Sequence, residues 1–168
     1  LAGLAKIMND NTNDINFSGV KFTLTNDIDL NNLPWAPIGR GDIDKGSFYG
    51  SFDGGNHVIS NLKVDTNWTC AGLFGQLAGD YTSVIENVIL QNVDVRSSVN
   101  TSKTRTGALI GRADKAIVNN CKVIGTIDVS GYSFVGGLIG HSYAQITNCA
   151  IEATGKVNAN NWQCGGLV

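Results

Sequence analysis

Gly72-Leu73-Phe74-Gly75 is a weak motif on its own, but it returns as Ala108-Leu109-Ile110-Gly111 and Gly137-Leu138-Ile139-Gly140, and begins again at Gly166-Leu167-Val168. Its leucines are spaced by 36, 29 and 29 residues. A period near 30 marks an array, in which each repeat is one unit that cannot bury its apolar face alone and so stacks on its neighbours. This self-similarity outranks every shorter pattern in the chain.

A second motif recurs out of phase with the first: Ile59-Ser-Asn61-Leu62-Lys-Val64, Ile85-Glu-Asn87-Val88-Ile-Leu90, Val118-Asn-Asn120-Cys121-Lys-Val123 and Ile146-Thr-Asn148-Cys149-Ala-Ile151. Inward residues of a flat strand are two apart, yet the first two apolar positions here are three apart. The chain therefore bends between them, and Asn is the non-glycine residue that best tolerates the left-handed conformation of such a bend. Stacked in register, Asn61, Asn87, Asn120 and Asn148 are expected to form one corner column, with side-chain amides bonding from coil to coil.

Phe22, Leu24, Ile28 and Leu30 alternate with Thr23, Thr25, Asp27 and Asp29, the pattern of a half-buried strand. Leu1, Leu4, Ala5 and Met8 fall at helical spacing and predict a short N-terminal helix over the end of the stack. The polar run from Arg96 to Thr106 accounts for the one long spacing and is expected to leave its coil as a loop. The fold expected is all-β, a right-handed parallel β-helix of five to six coils forming one domain over residues 1–168, its hand following that of parallel crossovers. At about 4.8 Å per coil the rod is roughly 25–30 Å long. The chain begins without Met and stops inside a repeat, so a fragment of a longer protein, with further repeats or domains, is expected.

With 21 glycines among 168 residues and only 15% charged residues, composition also favours turn-rich β structure. A net charge of −2 gives no footprint for nucleic acid or an anionic membrane. No apolar run approaches the roughly 20 residues that span a bilayer, so no membrane insertion is expected of this segment.

The ordered set Leu24-Thr-Asn-Asp-Ile-Asp-Leu30, Trp35-Ala-Pro-Ile-Gly39 and Phe48-Tyr-Gly-Ser-Phe-Asp-Gly-Gly-Asn-His-Val-Ile-Ser-Asn-Leu62, followed by the Gly-Leu-x-Gly repeats, resembles GLUG-motif proteins. These are bacterial secreted or surface proteins, adhesin-like proteins and the N-terminal regions of zinc metallopeptidases that cut immunoglobulin A among them. The resemblance covers nearly the whole chain. It implies a right-handed parallel β-helix, an extracellular setting and no catalytic residue in this segment.

The residues themselves give little for catalysis. His57 and His141 sit in unrelated contexts without a His-Glu-x-x-His pattern, so neither a catalytic zinc site nor any other metal or cofactor is expected. Asp53 before Gly54-Gly55 is expected to bond its own turn. Asp27 with Asp29, on the outer face of a strand, and Asp42 with Asp44, in a turn, are the only close acidic pairs. They are the residues that a polysaccharide lyase or hydrolase on this fold would use. Cys121 and Cys149 are placed as small core residues in the column of Leu62 and Val88. Cys70 and Cys164 are placed three coils apart at one offset, and free thiols are expected throughout.

Asn67-Trp68-Thr-Cys70 returns as Asn161-Trp162-Gln-Cys164, and exposed Trp rings serve as sugar platforms, interface anchors or simply corner covers. Trp68 and Trp162, with Arg96, Lys103 and Arg105 of the long run, are the candidate binding residues. The function expected is a non-catalytic segment of a bacterial secreted or cell-surface protein, binding a host protein or glycan or serving as a stalk. The alternatives are an accessory N-terminal region of a zinc metallopeptidase and a β-helical polysaccharide lyase or hydrolase.

Overall fold

The computed structural model describes residues 1–10, 15–41 and 46–168. The acidic pair Asp42 and Asp44 lies outside the described residues. Helix α1 (Ala2–Asn9) leads into a first coil of two short strands, β1 (Lys21–Thr23) and β2 (Ile28–Asp29). Single bridges at Pro34, Ile38 and Phe48 join that coil to the next. The second coil holds β3 (Ser51–Asp53), β4 (Val58–Thr66), β5 (Cys70–Ala71) and β6 (Phe74–Ala78). The third repeats it with β7 (Val84–Glu86), β8 (Ile89–Ser97), β9 (Arg105–Gly107) and β10 (Ile110–Asp114). The fourth has β11 (Ile117–Asn119), β12 (Lys122–Gly131), β13 (Phe134–Gly136) and β14 (Ile139–Ser142). The last has β15 (Gln145–Thr147), β16 (Ala150–Ala159) and β17 (Cys164–Gly165).

Corresponding strands pair in parallel, so the molecule is a β-solenoid of five stacked coils. Its sheets run in the orders β1-β3-β7-β11-β15, β2-β4-β8-β12-β16, β5-β9-β13-β17 and β6-β10-β14. The core is a continuous stack of side chains. Leu73, Leu109 and Leu138 of the Gly-Leu-x-Gly bends are fully buried, and Phe74 packs 5.5 Å from the Phe48 ring and 5.6 Å from Phe52. In the last coil the same positions are less covered, and Ile146, Ile151 and Leu167 are only partly buried. Ala5 and Met8 carry the buried face of α1, and Asn9 Nδ2 donates to the Pro37 carbonyl at 2.8 Å.

The glycines of the bends have a steric role. β9 and β10 run so close across their bend that a Cβ on Gly111 would sit 2.7 Å from Ala71 N, 2.7 Å from Gly75 O and 2.9 Å from Arg105 O. Only a residue without a side chain allows backbone to approach backbone in this way.

Five expectations are corrected. The single strand expected over residues 22–30 is two strands in different sheets. Leu24 N still bonds to the Asp53 carbonyl as the last rung of the β1–β3 ladder, and the chain turns after it, where Asp27 accepts from Val58 N and fixes a corner that side-chain alternation does not signal.

Asn61 does not share a column with Asn87, Asn120 and Asn148. The register pairs Ile85 with Phe52 and Val118, and Leu62 with Val93, so Asn61 stands beside Asn92 at a second corner. The two Asn motifs are alike in sequence because both corners require the same left-handed backbone: φ is 57° at Asn61 and 56° at Asn92, against 55°, 51° and 53° at Asn87, Asn120 and Asn148. Asn120 Nδ2 donates to Asn87 Oδ1 at 2.8 Å, and Asn148 Nδ2 to Asn119 Oδ1 at 3.0 Å.

The same shift separates Leu62 from the column of Val88, Cys121 and Cys149. It also sets Cys70 against Arg105 while Cys164 pairs with Val135, so these two cysteines occupy different columns. Among the described residues no cysteine is in a disulfide. Lastly, the long run is not a loop from end to end: Arg96 lies within β8 and Arg105 within β9, and only residues 98–104 leave the coil.

The Asn corner yields a two-part prediction. Asn87→Ala loses both the tolerance for positive φ, about 1–2 kcal/mol, and two side-chain bonds, to Asp53 and from Asn120, of about 1 kcal/mol each, whereas Asn87→Gly loses only the bonds. Urea midpoints should therefore rank wild type, then Gly, then Ala. Equal midpoints for the two variants would show that the backbone conformation contributes nothing.

Candidate ligand-binding groove

On the outer surface, β9 and β10 diverge from the Leu109 bend and place Arg105 and Arg112 on facing walls. Alternation sends Thr106 and Ala113 into the core and Arg105, Arg112 and Asp114 outward. One coil on, the equivalent bend at Leu138 places Phe134 beside Arg105 and His141 beside Arg112. One coil back stand Cys70 and Gln76. The site is therefore two columns, Cys70-Arg105-Phe134 and Gln76-Arg112-His141, which meet across the glycine bends where Phe134 touches His141.

Its contacts are specific. The Arg105 guanidinium lies 5.6 Å from the Phe134 ring centre and donates through Nη1 to the Lys103 carbonyl. Phe134 meets His141 edge-on at 5.0 Å, and His141 meets Tyr143 edge-on at 4.9 Å. Arg112 Nε lies 2.7 Å from Asp114 Oδ2, out of line for a hydrogen bond, so the contact is ionic; Asp114 also accepts from Gln76 Nε2 at 3.3 Å. Burial pushes Arg105 below its ordinary pKa, with the Arg112 charge adding to the shift. Burial, then Arg105 and Arg112, likewise push His141 below its ordinary pKa. Beyond Tyr143 the surface opens into a cleft of about 510 Å³ lined by Tyr49, Asp80, Tyr81 and Lys115. On the other side Phe134 and His141 border a hollow of about 340 Å³ with Ser142 and Gln163.

Of the binding residues named from sequence, only Arg105 lies in this groove. Arg96 is exposed in a different sheet, paired with Asp65 and Ser130, and Lys103 is exposed in the 98–104 loop. Trp68 is half-buried beneath Arg40, whose guanidinium lies 4.4 Å above its ring, and its surroundings form a separate cleft with Trp35 and α1. Trp162 is 60% exposed in the last coil, where the equivalent Thr104 and Ser133 of earlier coils are buried. The sequence reading missed Arg112, Phe134, His141 and Tyr143. The signal was present: each arginine and its counterpart sit four residues before and three after the central leucine, Arg105 and Arg112 about Leu109, Phe134 and His141 about Leu138.

The carboxylates considered for catalysis are occupied by corner bonding. Asp53 Oδ1 accepts from Gly55 N and Asn87 Nδ2 at 2.9 Å each, and Lys21 bridges Asp53 and Glu86 at 3.0 Å. Asp29 accepts from Asn31 N and Asn61 Nδ2, and Asp27 from Val58 N with His57 Nδ1 at 3.1 Å. These bonds, led by Asn87 at Asp53, Asn31 N at Asp29 and Val58 N at Asp27, hold all three below the usual carboxylate pKa. Among the described residues no group of three or more His, Cys, Asp or Glu converges as a metal site, and no helix is long and apolar enough to cross a membrane.

No protein-family model matches the chain, and no solved structure matches it. Among curated proteins it is similar to Halomucin of Haloquadratum walsbyi, with 35% identity over an alignment of 170 residues that takes in 95% of this chain. The chain spans only about 2% of that protein's length.

Proposed function

We propose that this β-solenoid is a non-catalytic segment of an extracellular or cell-surface protein and binds a glycan in the groove between β9, β10, β13 and β14. The observation that carries the reading is the convergence of Arg105, Arg112, Phe134, His141 and Tyr143 on the outside of a rigid stack. Aromatic edges and faces next to fixed hydrogen-bonding groups are what sugar rings require. The GLUG resemblance and the similarity to a protein named as a mucin favour the extracellular setting. The non-catalytic reading is favoured by the carboxylates, since Asp27, Asp29 and Asp53 are each committed to backbone and Asn donors.

A glycan array probed with wild type and Tyr143→Ala tests this. Tyr143 is 62% exposed, so its removal should leave the melting temperature unchanged while weakening glycan retention by about fivefold, the scale of one aromatic contact. Retention of no glycan, or full retention by the variant, counts against the groove. Release of reducing ends from a retained polysaccharide, lost in Asp53→Asn, would establish a lyase or hydrolase instead.

A further inference from the structure

We propose that the groove selects an acidic sugar, with the carboxylate or sulfate ester seated against Arg105 and Arg112 and the sugar ring against Phe134 and Tyr143. This rests on the glycan-binding reading and adds the charge of the ligand to it.

Charge bookkeeping inside the groove points to an anion. The Arg112 charge is met by Asp114 at 2.7 Å. Arg105 has no carboxylate within ion-pair distance among the described residues, and its Nε is buried without a hydrogen-bond partner. Among the described residues it touches a backbone carbonyl and an aromatic ring, and it shares the field of Asp114 with Arg112, with Cys70 and Tyr143 nearby. A cation taken partly out of water without a counter-charge is costly to the fold, and natural proteins pair such groups. Arg105 and Arg112 against the single carboxylate of Asp114 therefore leave one positive charge unmatched, and a single anionic substituent completes the set. His141 Nδ1 is also buried without a partner, and in the tautomer that protonates it this atom is a further donor. The guanidinium is the donor best shaped for a carboxylate or sulfate, which it can hold through two parallel bonds.

The rest of the groove argues for a saccharide rather than a free ion or a polyanion. Beside the arginines, a hollow of about 340 Å³ bordered by Phe134 and His141 and a cleft of about 510 Å³ bordered by Asp114 and Tyr143 would take the flanking sugar units, within the roughly 300–1,000 Å³ usual for small-ligand pockets. Asp80 and Asp114 in the adjoining cleft would accept from sugar hydroxyls but would repel a densely charged polymer. One unmatched charge suits one acidic group per site.

Titration calorimetry and histidine NMR of the chain with four probes test the inference: sialyllactose with its single carboxylate, a chitotetraose bearing one sulfate ester, neutral chitotetraose and sodium sulfate. One or both acidic oligosaccharides should bind at least tenfold more tightly than chitotetraose, and whichever binds identifies the anion as carboxylate or sulfate ester. That binding should weaken about tenfold in Arg105→Gln and less in Arg105→Lys, with melting temperatures recorded for both. If Arg105→Gln does not fold, Arg105→Lys and Arg112→Gln carry the comparison. In the wild type the acidic probe should raise the His141 pKa, because a bound anion opposes the fields of Arg105 and Arg112 and adds to that of Asp114 on the ring beside Phe134 and Tyr143. Chitotetraose bound as tightly as the acidic probes, with no change in the Arg105 variants, would overturn the acidic preference and leave the glycan reading standing. Sulfate bound without any saccharide would overturn it in favour of a simple anion site, and no binding by any probe would remove both readings.

Discussion

Gly111→Ala should lower the melting temperature by roughly 6–12 °C, a loss of about 3 kcal/mol at the upper end of overpacking costs for a chain of this size. The added methyl would meet Ala71 N, Gly75 O and Arg105 O, all within 3 Å and all backbone. A crowded side chain can rotate away, but these atoms are held in the ladders of the coil below and of the facing strand. The bend at Leu109 can open only by breaking those ladders or by lifting Leu109 out of the core. Gly3→Ala is the internal control: it lies in α1 with nothing within 4 Å of the new methyl, and helix propensity predicts a gain of up to about 1 kcal/mol. If Gly111→Ala melts with the wild type, backbone proximity does not define the bend. Because Arg105 and Arg112 flank this bend, the variant should also weaken ligand binding, which Gly3→Ala should not.

Phe74→Ala should cost about 3–5 kcal/mol, the range for a buried aromatic truncated to a methyl. Phe74 is completely buried and stands between Phe48 and Phe52, where the first coil meets the second. The first coil has little strand pairing to hold it, since β1 and β2 contribute three and two residues and the other backbone pairs are single bridges, supplemented by side-chain bonds such as Asp27 with Val58 N and Asp29 with Asn61. The loss should therefore be local before it is global. Amide exchange at Ile38 and Phe48 should accelerate well before exchange in β12, whose ten residues all pair with β16 and seven of them also with β8. Uniform acceleration along the chain would show instead that the five coils melt as one unit. Phe134→Ala, on the groove wall, should cost far less stability while lowering affinity, so the two phenylalanines separate core from site.

The leucines at 73, 109 and 138 carried the period, because a bend packed against its neighbours on both sides accepts few alternatives. The positive φ of the corner asparagines was legible for the same reason: Asn without Gly neighbours at a bend has few other uses. Which asparagines stack was not legible. Asn61 and Asn87 have the same apolar neighbours at the same spacing, and only the pairing of Leu62 with Val93 shows that they turn different corners. The groove was half visible. Arg105 stood out as a cation in a polar stretch, but it was assigned to a loop because the preceding residues are polar. Arg112 and His141 were hidden by the adjoining glycine motif, which reads as structure alone. Their meeting with Arg105 and Phe134 depends on two strands folding back about a buried leucine.

The Asn amides and the strand ladders share one direction: both run from each coil to the next, along the axis of the rod. Tension applied between the two ends of the stack is therefore carried by the coil interfaces in series, each bearing the whole load. The mechanical strength of such a segment is that of its poorest junction, here the one between the first and second coils, and reinforcing any other would not raise the force at which it parts.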